Sequence, residues 1–391
     1  MFERFPTYYE FFAGGGMARA GLGDEWRCLF ANDFDCMKAA AYIANWGGDH
    51  FLCEDIGKLT VPDLPGRADL AWASFPCQDL SLAGDGAGLG TSTDSATTRS
   101  GTFWPFLALM HGLRHEGRAP RMIVLENVFG ALTSHGGKDF VAIGEALSTA
   151  GYQFGAVVID AACFVPQSRP RVFFVAVESG SHLPPRVVHG GPSRLWHPKA
   201  LTSAYSGLSA AAKSRWVWWD LPVPSDAVTV LADLIEDKPA GVAWHSTDET
   251  GRLLGMMSPL NQAKVEAAQR AGRRVIGCIY RRTRPDADGS RRQRAEVRFD
   301  GVAGCLRTPG GGSSRQTILL VDADKITSRL LSAREAARLM GLSDGYILPA
   351  RYNAAYHVAG DGVCPPVVRH LARYLLEPVL AACVPIAIAA E

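Results

Sequence analysis

Phe75-Pro76-Cys77-Gln78 carries a cysteine directly after a proline, at the end of the apolar run ADLAWASF. A strand ending there would hold the thiol at the carboxyl edge of a sheet, where ligands bind in open α/β folds. Pro76 removes a backbone donor and fixes the turn. A thiolate so placed can act as a nucleophile. A lone cysteine is more often inert packing, so its partners decide. Glu126 and Asn127 follow a second apolar run, MIVL. A carboxyl group at a strand end in an apolar cleft can hold or donate a proton; the alternative is a surface glutamate. Gln167, Arg169 and Arg171 alternate just before a third run, VFFVAV. Alternate residues of an extended segment face the same way, so the two arginines are expected to converge on one cleft. The alternative is an exposed basic strand start.

A second constellation lies upstream. Gly14, Gly15 and Gly16 follow the run YYEFFA and precede MARAGLG. Glycines at a strand-to-helix turn allow a tight bend and close approach of a ligand. Asp33, in ANDFD, ends a second run about 17 residues later. An acid there can bind the two hydroxyls of an adenosine ribose. Asp55, in CEDIG, follows a third run and could accept from an adenine amino group. The blander reading makes both acids loop or cap residues, and a nicotinamide enzyme also fits these three features.

The elements needed to position these groups follow in regular alternation. YYEFFAG, CLFAND, ADLAWASF, RMIVLENV and RVFFVAV read as strands. CMKAAAYIANWG, FWPFLALMHGLRHE and DFVAIGEALSTAG read as helices, the first closed by Gly47 and the last by Gly151. This beat predicts a doubly wound α/β sheet. From about residue 183 prolines and tryptophans cluster and the alternation is lost. Between 264 and 315 there are 13 Lys and Arg against 5 Asp and Glu, so the basic charge is local although the chain's net charge is only +1. Near 332 order returns: Ser332 and Glu335 form a capping box that opens a helix closed at Gly341. PPVVRHLARYLLEPVLAA reads as a terminal helix. The polar stretch 84–101 is long enough to be a functional loop.

Composition excludes several classes. The nine cysteines show no C-x-x-C spacing and no zinc pattern with histidine, which argues against a structural metal and a disulfide framework. A reducing, cytoplasmic compartment fits best. MFERFPTYYEFF is not a signal peptide, and no stretch approaches a membrane span.

Taken together, the segments FFAGGG, ANDFD, SFPCQDLS, LENV, QSRPRV, FDGVAGCLRTPGGGSSRQTILL, RLLSAREAARLMGL and YHVAGDGVCPPVVRHLA resemble the DNA cytosine-C5 methyltransferases. They occur in that family's order and spacing over almost the whole chain. The resemblance implies an α/β fold: a Rossmann-like S-adenosylmethionine-dependent sheet with helices on both faces, plus a smaller irregular target-recognition domain. It divides the chain into a catalytic domain (1–183), a recognition domain (184–345) and a C-terminal segment (346–391) that returns to the catalytic domain. It implies S-adenosylmethionine as cofactor, with contacts at Phe12, Gly14, Gly16, Asp33, Phe34, Asp55, Ile56, Phe75 and Val363, and no metal.

The resemblance also assigns the chemistry. Cys77 would attack C6 of a cytosine extruded from duplex DNA. Glu126 would bind the N3 edge, Arg171 the base O2, and Arg169 a phosphate or the cysteine's loop. Asn127 and Gln167 would orient neighbours. Gln78, Ser81, Arg99, Arg281, Arg282, Arg291, Arg292, Arg294 and Arg307 are the candidate DNA contacts. The 84–101 stretch matches the family's mobile catalytic loop. A prokaryotic or phage type of enzyme is expected, monomeric, and either paired with a restriction endonuclease or an orphan. Rival readings are a non-catalytic DNA- or cofactor-binding relative and a tRNA cytosine-C5 methyltransferase. Two departures stand out. GDGV (Gly360 to Val363) replaces the usual Gly-Asn-Ser-Val, and Cys305-Leu306 replaces the usual Thr-Leu.

Overall fold

Aromatic residues on both faces of Thr7–Phe11, Tyr8 on one and Tyr9 and Phe11 on the other, go with a strand, β1, that is buried along its whole length. Such continuous burial is the mark of a central strand in a parallel sheet. A computed structural model describes residues 5–76, 99–224, 229–285, 290–307 and 315–383 of the chain. Six further strands join β1: β2 (Arg27–Asp33), β3 (Phe51–Cys53), β4 (Leu70–Ala73), β5 (Met122–Val128), β6 (Tyr152–Asp160) and β7 (Pro170–Glu178). Their order is β3-β2-β1-β4-β5-β7-β6. The pairs among β1 to β5 are parallel, and β7 runs antiparallel to β5. The sequence change of direction lies between β1 and β4, so ligands are expected at the carboxyl ends of these two strands.

The helices follow the sequence reading closely. They are α1 (Met17–Leu22), α2 (Cys36–Trp46), α3 (Phe103–His115) and α4 (Lys138–Thr149). Asp35 caps α2 by accepting from the amides of Met37 and Lys38, and Gly47 ends it at φ +80°. One large core unites the sheet with α3 and α4; it includes Phe11, Phe103, Phe106, Ile123, Leu125, Phe140 and Phe174. Strand β6 was not expected. Gly155 sits within it because a Cβ there would lie 1.9 Å from the Val217 carbonyl oxygen.

The described chain divides into two compact units. The first holds residues up to Ile159, Pro170–Pro224 and Val363 onward; the second holds Asp160–Arg169 and the described part of Ser225–Gly362. The divisions between these units fall at 159/160, 169/170, 224/225 and 362/363. The tryptophan-rich stretch after 183 packs onto the first sheet: Trp219 Nε1 donates to the Val175 carbonyl and Trp196 Nε1 to that of Leu221. The terminal helix also belongs here, since Gly21 of α1 leaves no room for a Cβ against Val368 and Pro365.

The second unit is more regular than its sequence suggests. Four antiparallel strands, β8 (Val275–Pro285), β9 (Arg291–Arg298), β10 (Thr317–Asp322) and β11 (Lys325–Leu330), lie in the order β11-β10-β8-β9. Their inward residues Ile279, Ala295, Val297, Leu319 and Val321 pack with Leu253, Met257 and Val265 from helices. The capping box Ser332–Glu335 is present. Glu335 does more: both its oxygens accept from the fully buried Arg329, at 2.8 and 2.7 Å, and one accepts from the Glu236 amide. Among the described residues no helix is long and apolar enough to cross a membrane.

Breaking one side of this buried pair strands the other charge. Glu335→Gln is expected to cost about 3–5 kcal/mol in guanidinium unfolding. The double replacement Arg329→Met with Glu335→Leu should cost clearly less. Equal losses in the two proteins would contradict a charge-pair origin.

Candidate functional site

The glycine turn takes shape from backbone constraints. Phe12, Gly14 and Gly16 all adopt positive φ, at 56°, 55° and 76°. Gly16 has no alternative, because a Cβ would lie 2.3 Å from Trp46 Nε1 and 2.9 Å from Tyr42 Cδ2. Asp33, at the end of β2, accepts from the Gly14 amide at 2.8 Å and the Asp35 amide at 2.9 Å. Burial pushes its carboxyl upward, and these amides pull the other way. Asn32 donates to the carbonyls of Leu52 and Glu54 and so ties β2 to β3. Asp55 is exposed and accepts from the Gly57 amide, capping the short turn that contains buried Ile56. Phe34, between Asp33 and Asp35, is 64% exposed. A large apolar ring left in solvent beside two acids and an open glycine turn suits a flat heterocycle attached to a ribose. Phe75 and Val363 are buried in the same unit.

Beneath the turn lies a group that the sequence reading passed over. Glu10, in β1, is 1% exposed, and neither carboxylate oxygen has a hydrogen-bond partner among the described residues. Burial pushes its carboxyl up to about 8, with Arg19 of α1 opposing. Arg19 itself contacts the Tyr42 hydroxyl and His50 Nε2. The signal was present as a charged residue inside an otherwise apolar central strand.

The second half of the site sits at β5 and β7. Because β7 is antiparallel to β5, the start of β7 meets the end of β5, with Val128 opposite Arg171 and Glu126 opposite Phe173. Arg171 Nε lies 3.1 Å from Glu126 Oε1, and both side chains are nearly buried. Asn127 donates to the Phe75 carbonyl at 3.4 Å. It therefore links the end of β5 to the chain one residue before Pro76. Cys77, Gln78 and Ser81 lie outside the described residues, as does 84–98; Arg99 is described only in its backbone, in the short turn Arg99–Thr102.

Arg169 and Gln167 belong to the second unit. Arg169 is 2% exposed. Its guanidinium donates to Cys305 Sγ and the Leu306 carbonyl, both at 3.3 Å, and to the carbonyls of Gly360 and Gly362, both at 2.8 Å. Gln167 donates to the Leu339 carbonyl and accepts from the Leu306 amide. Arg171 belongs to the first unit, as the second residue of β7, and Arg169 to the second, one residue before β7. Both departures from the family pattern, Cys305-Leu306 and GDGV, meet at this one guanidinium. Three of its four bonds go to backbone carbonyls, which any side chain supplies.

The basic candidates gather on one ribbon. β10 pairs with β8 only over 275–279, whereas β8 and β9 pair on through 285 and 291. Arg282 stands opposite Arg294, and Arg284 opposite Arg292. Directly opposed like charges are unfavourable, and an acidic neighbour offsets one of them. Arg284, absent from the sequence candidates, bonds to Glu296 at 2.7 Å. Arg281, Arg291 and Arg292 are exposed and Arg294 is half-buried; Arg307 is exposed, outside the two strands, at the end of its described segment. Among the described residues no three His, Cys, Asp or Glu side chains cluster as metal ligands.

The family model for C-5 cytosine-specific DNA methylases matches residues 7–377. The chain belongs to that family. It is 31% identical over 373 residues to the type II methyltransferase M.HaeII of Haemophilus aegyptius, covering 94% of this chain and 92% of that one. It is 25% identical over 372 residues to M.NlaX of Neisseria lactamica, covering 94% and 95%. The solved structure of the Entamoeba histolytica methyltransferase EhMeth superposes with a TM-score of 0.62 at 13% identity, covering 96% and 99%, and so shares the fold.

Glu10 gives a pH test of the region under the turn. Its folded pKa lies above the ordinary 4.5, so the folded state holds a proton that the unfolded state has lost. Its stabilising effect is complete below about 4.5 and falls away as pH rises toward 8. Glu10→Gln removes this dependence. Thermal melts should show the variant gaining on the parent by roughly 1 kcal/mol per pH unit between pH 5 and 8. A gap that stays constant with pH would refute a buried neutral acid.

Proposed function

We propose that the protein methylates C5 of cytosine in duplex DNA, using S-adenosylmethionine. The observation that carries this reading is the Glu126–Arg171 pair at the β5–β7 edge, with Asn127 of the same strand holding the chain that leads to Cys77. The turn at Gly14 and Gly16, Asp33, Phe34, Asp55 and Ile56 would hold the cofactor, with Phe12, Phe75 and Val363 as apolar neighbours. Bound there, the sulfonium of S-adenosylmethionine supplies an activated methyl group.

The chain's own residues make the base reactive. C5 of cytosine is a weak nucleophile, and the target atom is inaccessible in a stacked duplex, so the base is flipped out. The Cys77 thiolate adds to C6. Glu126 holds a proton at the N3 edge, which neutralises the charge that addition places on the ring. Arg171 orients that carboxylate and meets the base O2. Addition at C6 and protonation at N3 together leave C5 enamine-like. Loss of the C5 proton and then of the thiol restores aromaticity. Arg169 acts at a distance, as a brace of the second unit.

The second unit is the target-recognition region in this reading. The arginines of the β8–β9 ribbon supply phosphate affinity, and a subset reads base edges. The proposal extends to a monomeric modification enzyme, since one flipped base is read at a time, acting on the site of a partner restriction endonuclease; the similar relatives are named type II methyltransferases. Bisulfite sequencing of DNA from an expressing host identifies the site, and resistance of that DNA to a cognate nuclease tests the pairing.

Cys77→Ser should reduce methyl transfer to duplex DNA by more than about a thousandfold while S-adenosylmethionine still binds in calorimetry. Undiminished transfer would overturn the mechanism, and transfer to tRNA in preference to duplex DNA would overturn the substrate. Replacing Arg282 and Arg294 with alanine should weaken duplex binding and lower the slope of log K against log salt by about 1–2. An unchanged slope would remove this ribbon from the interface.

A further inference from the structure

Two thiols meet at the rim of the glycine-turn site. Cys36 opens α2 directly after its cap Asp35, and Cys53 ends β3. Both are exposed, and their Sγ atoms lie 3.5 Å apart. Cys53 stands opposite Asp33 in the β2–β3 register, so the pair spans the two strand ends that present Asp33 and Phe34 on one side and Asp55 on the other. Neither thiol has a part in the methylation chemistry. The pairing could not be read from sequence, because the 17-residue separation resembles no metal or redox motif.

We propose that Cys36 and Cys53 form a reversible disulfide that weakens cofactor binding at the adjoining strand ends; the coupling rests on the S-adenosylmethionine reading above. A disulfide needs sulfur atoms about 2.05 Å apart, so two exposed side chains in contact must close by about 1.5 Å. That closure draws the first turn of α2 toward the end of β3 and shifts Phe34, which lies between Asp33 and Cys36. The oxidant is a hydroperoxide. With hydrogen peroxide, each thiol gives up its proton and one electron, the S–S bond forms, the O–O bond breaks, and two waters leave. A small dithiol reverses the step and is itself oxidised to a disulfide.

The test uses the full chain carrying Cys77→Ser, which removes the nucleophilic thiol from the readout. The protein is treated with hydrogen peroxide, alkylated and digested, and peptides are mapped by mass spectrometry. Calorimetry then measures S-adenosylmethionine binding to reduced, oxidised and dithiothreitol-treated protein, and to a Cys36→Ser form. The expected result is a linked peptide joining Cys36 and Cys53. Binding should weaken by at least about fivefold on oxidation, recover with dithiothreitol, and be indifferent to peroxide in the Cys36→Ser form. Separately alkylated Cys36 and Cys53 after oxidation would overturn the proposal, as would a linked peptide with unchanged affinity. Reduced protein that fails to bind would overturn both the cofactor reading and the coupling, while the peptide map still reports whether the disulfide forms.

Discussion

One antiparallel strand in a mostly parallel sheet sets up the site. If β7 ran parallel to β5, its first residues would lie at the far edge of the sheet. Running the other way, it brings Arg171 to the carboxyl end of β5 and within 3.1 Å of Glu126. The pair is nearly buried, so the charges are strengthened by a low local dielectric and held in one geometry. Asn127, next along β5, reaches Phe75 on the chain leaving β4. A carboxylate, a guanidinium and the approach to Cys77 are thus fixed by backbone register more than by loops.

The other half of the site depends on a second backbone device. Asp33 holds the Gly14 amide across the β1–β2 edge, while Gly16 is forced by Trp46 and Tyr42. Asp33 is thus both a structural acceptor and a candidate ligand group, a dual use its position in the sequence did not announce. Arg169 plays the comparable structural part in the second unit, where it gathers the segments at 305–306 and 360–362. That explains how this chain departs from the family at both places without losing the arginine's partners: backbone carbonyls carry most of the bonds.

Much of the first unit was legible because its central strands are buried on both faces and read as apolar runs, unbroken in MIVL and interrupted only by Glu10 in YYEFF. The capping signal at Ser332 was legible for a local reason, since its side chain satisfies an amide three residues away. The second unit was hidden because its strands are written in arginine: RRQRAEVR buries only Ala295 and Val297. Tryptophans and prolines mark a change of composition after 183, while an indole donor of this stretch reaches back to the first sheet. The Cys36–Cys53 contact is a tertiary fact with no sequence spacing to betray it, whereas Glu10 was visible as a charge inside an apolar strand.

The central claim is that Cys77 forms a covalent bond to cytosine C6 while Glu126 holds the N3 edge. The most direct measurement is the intact mass of the protein after incubation with S-adenosylmethionine and a duplex carrying 5-fluorocytosine at the methylation site, where loss of the C5 substituent is blocked. The account predicts a stable protein–DNA adduct that maps to Cys77 and is absent from a Glu126→Ala variant. Methyl transfer to the unmodified duplex without any such adduct, or an adduct at another residue, would contradict it.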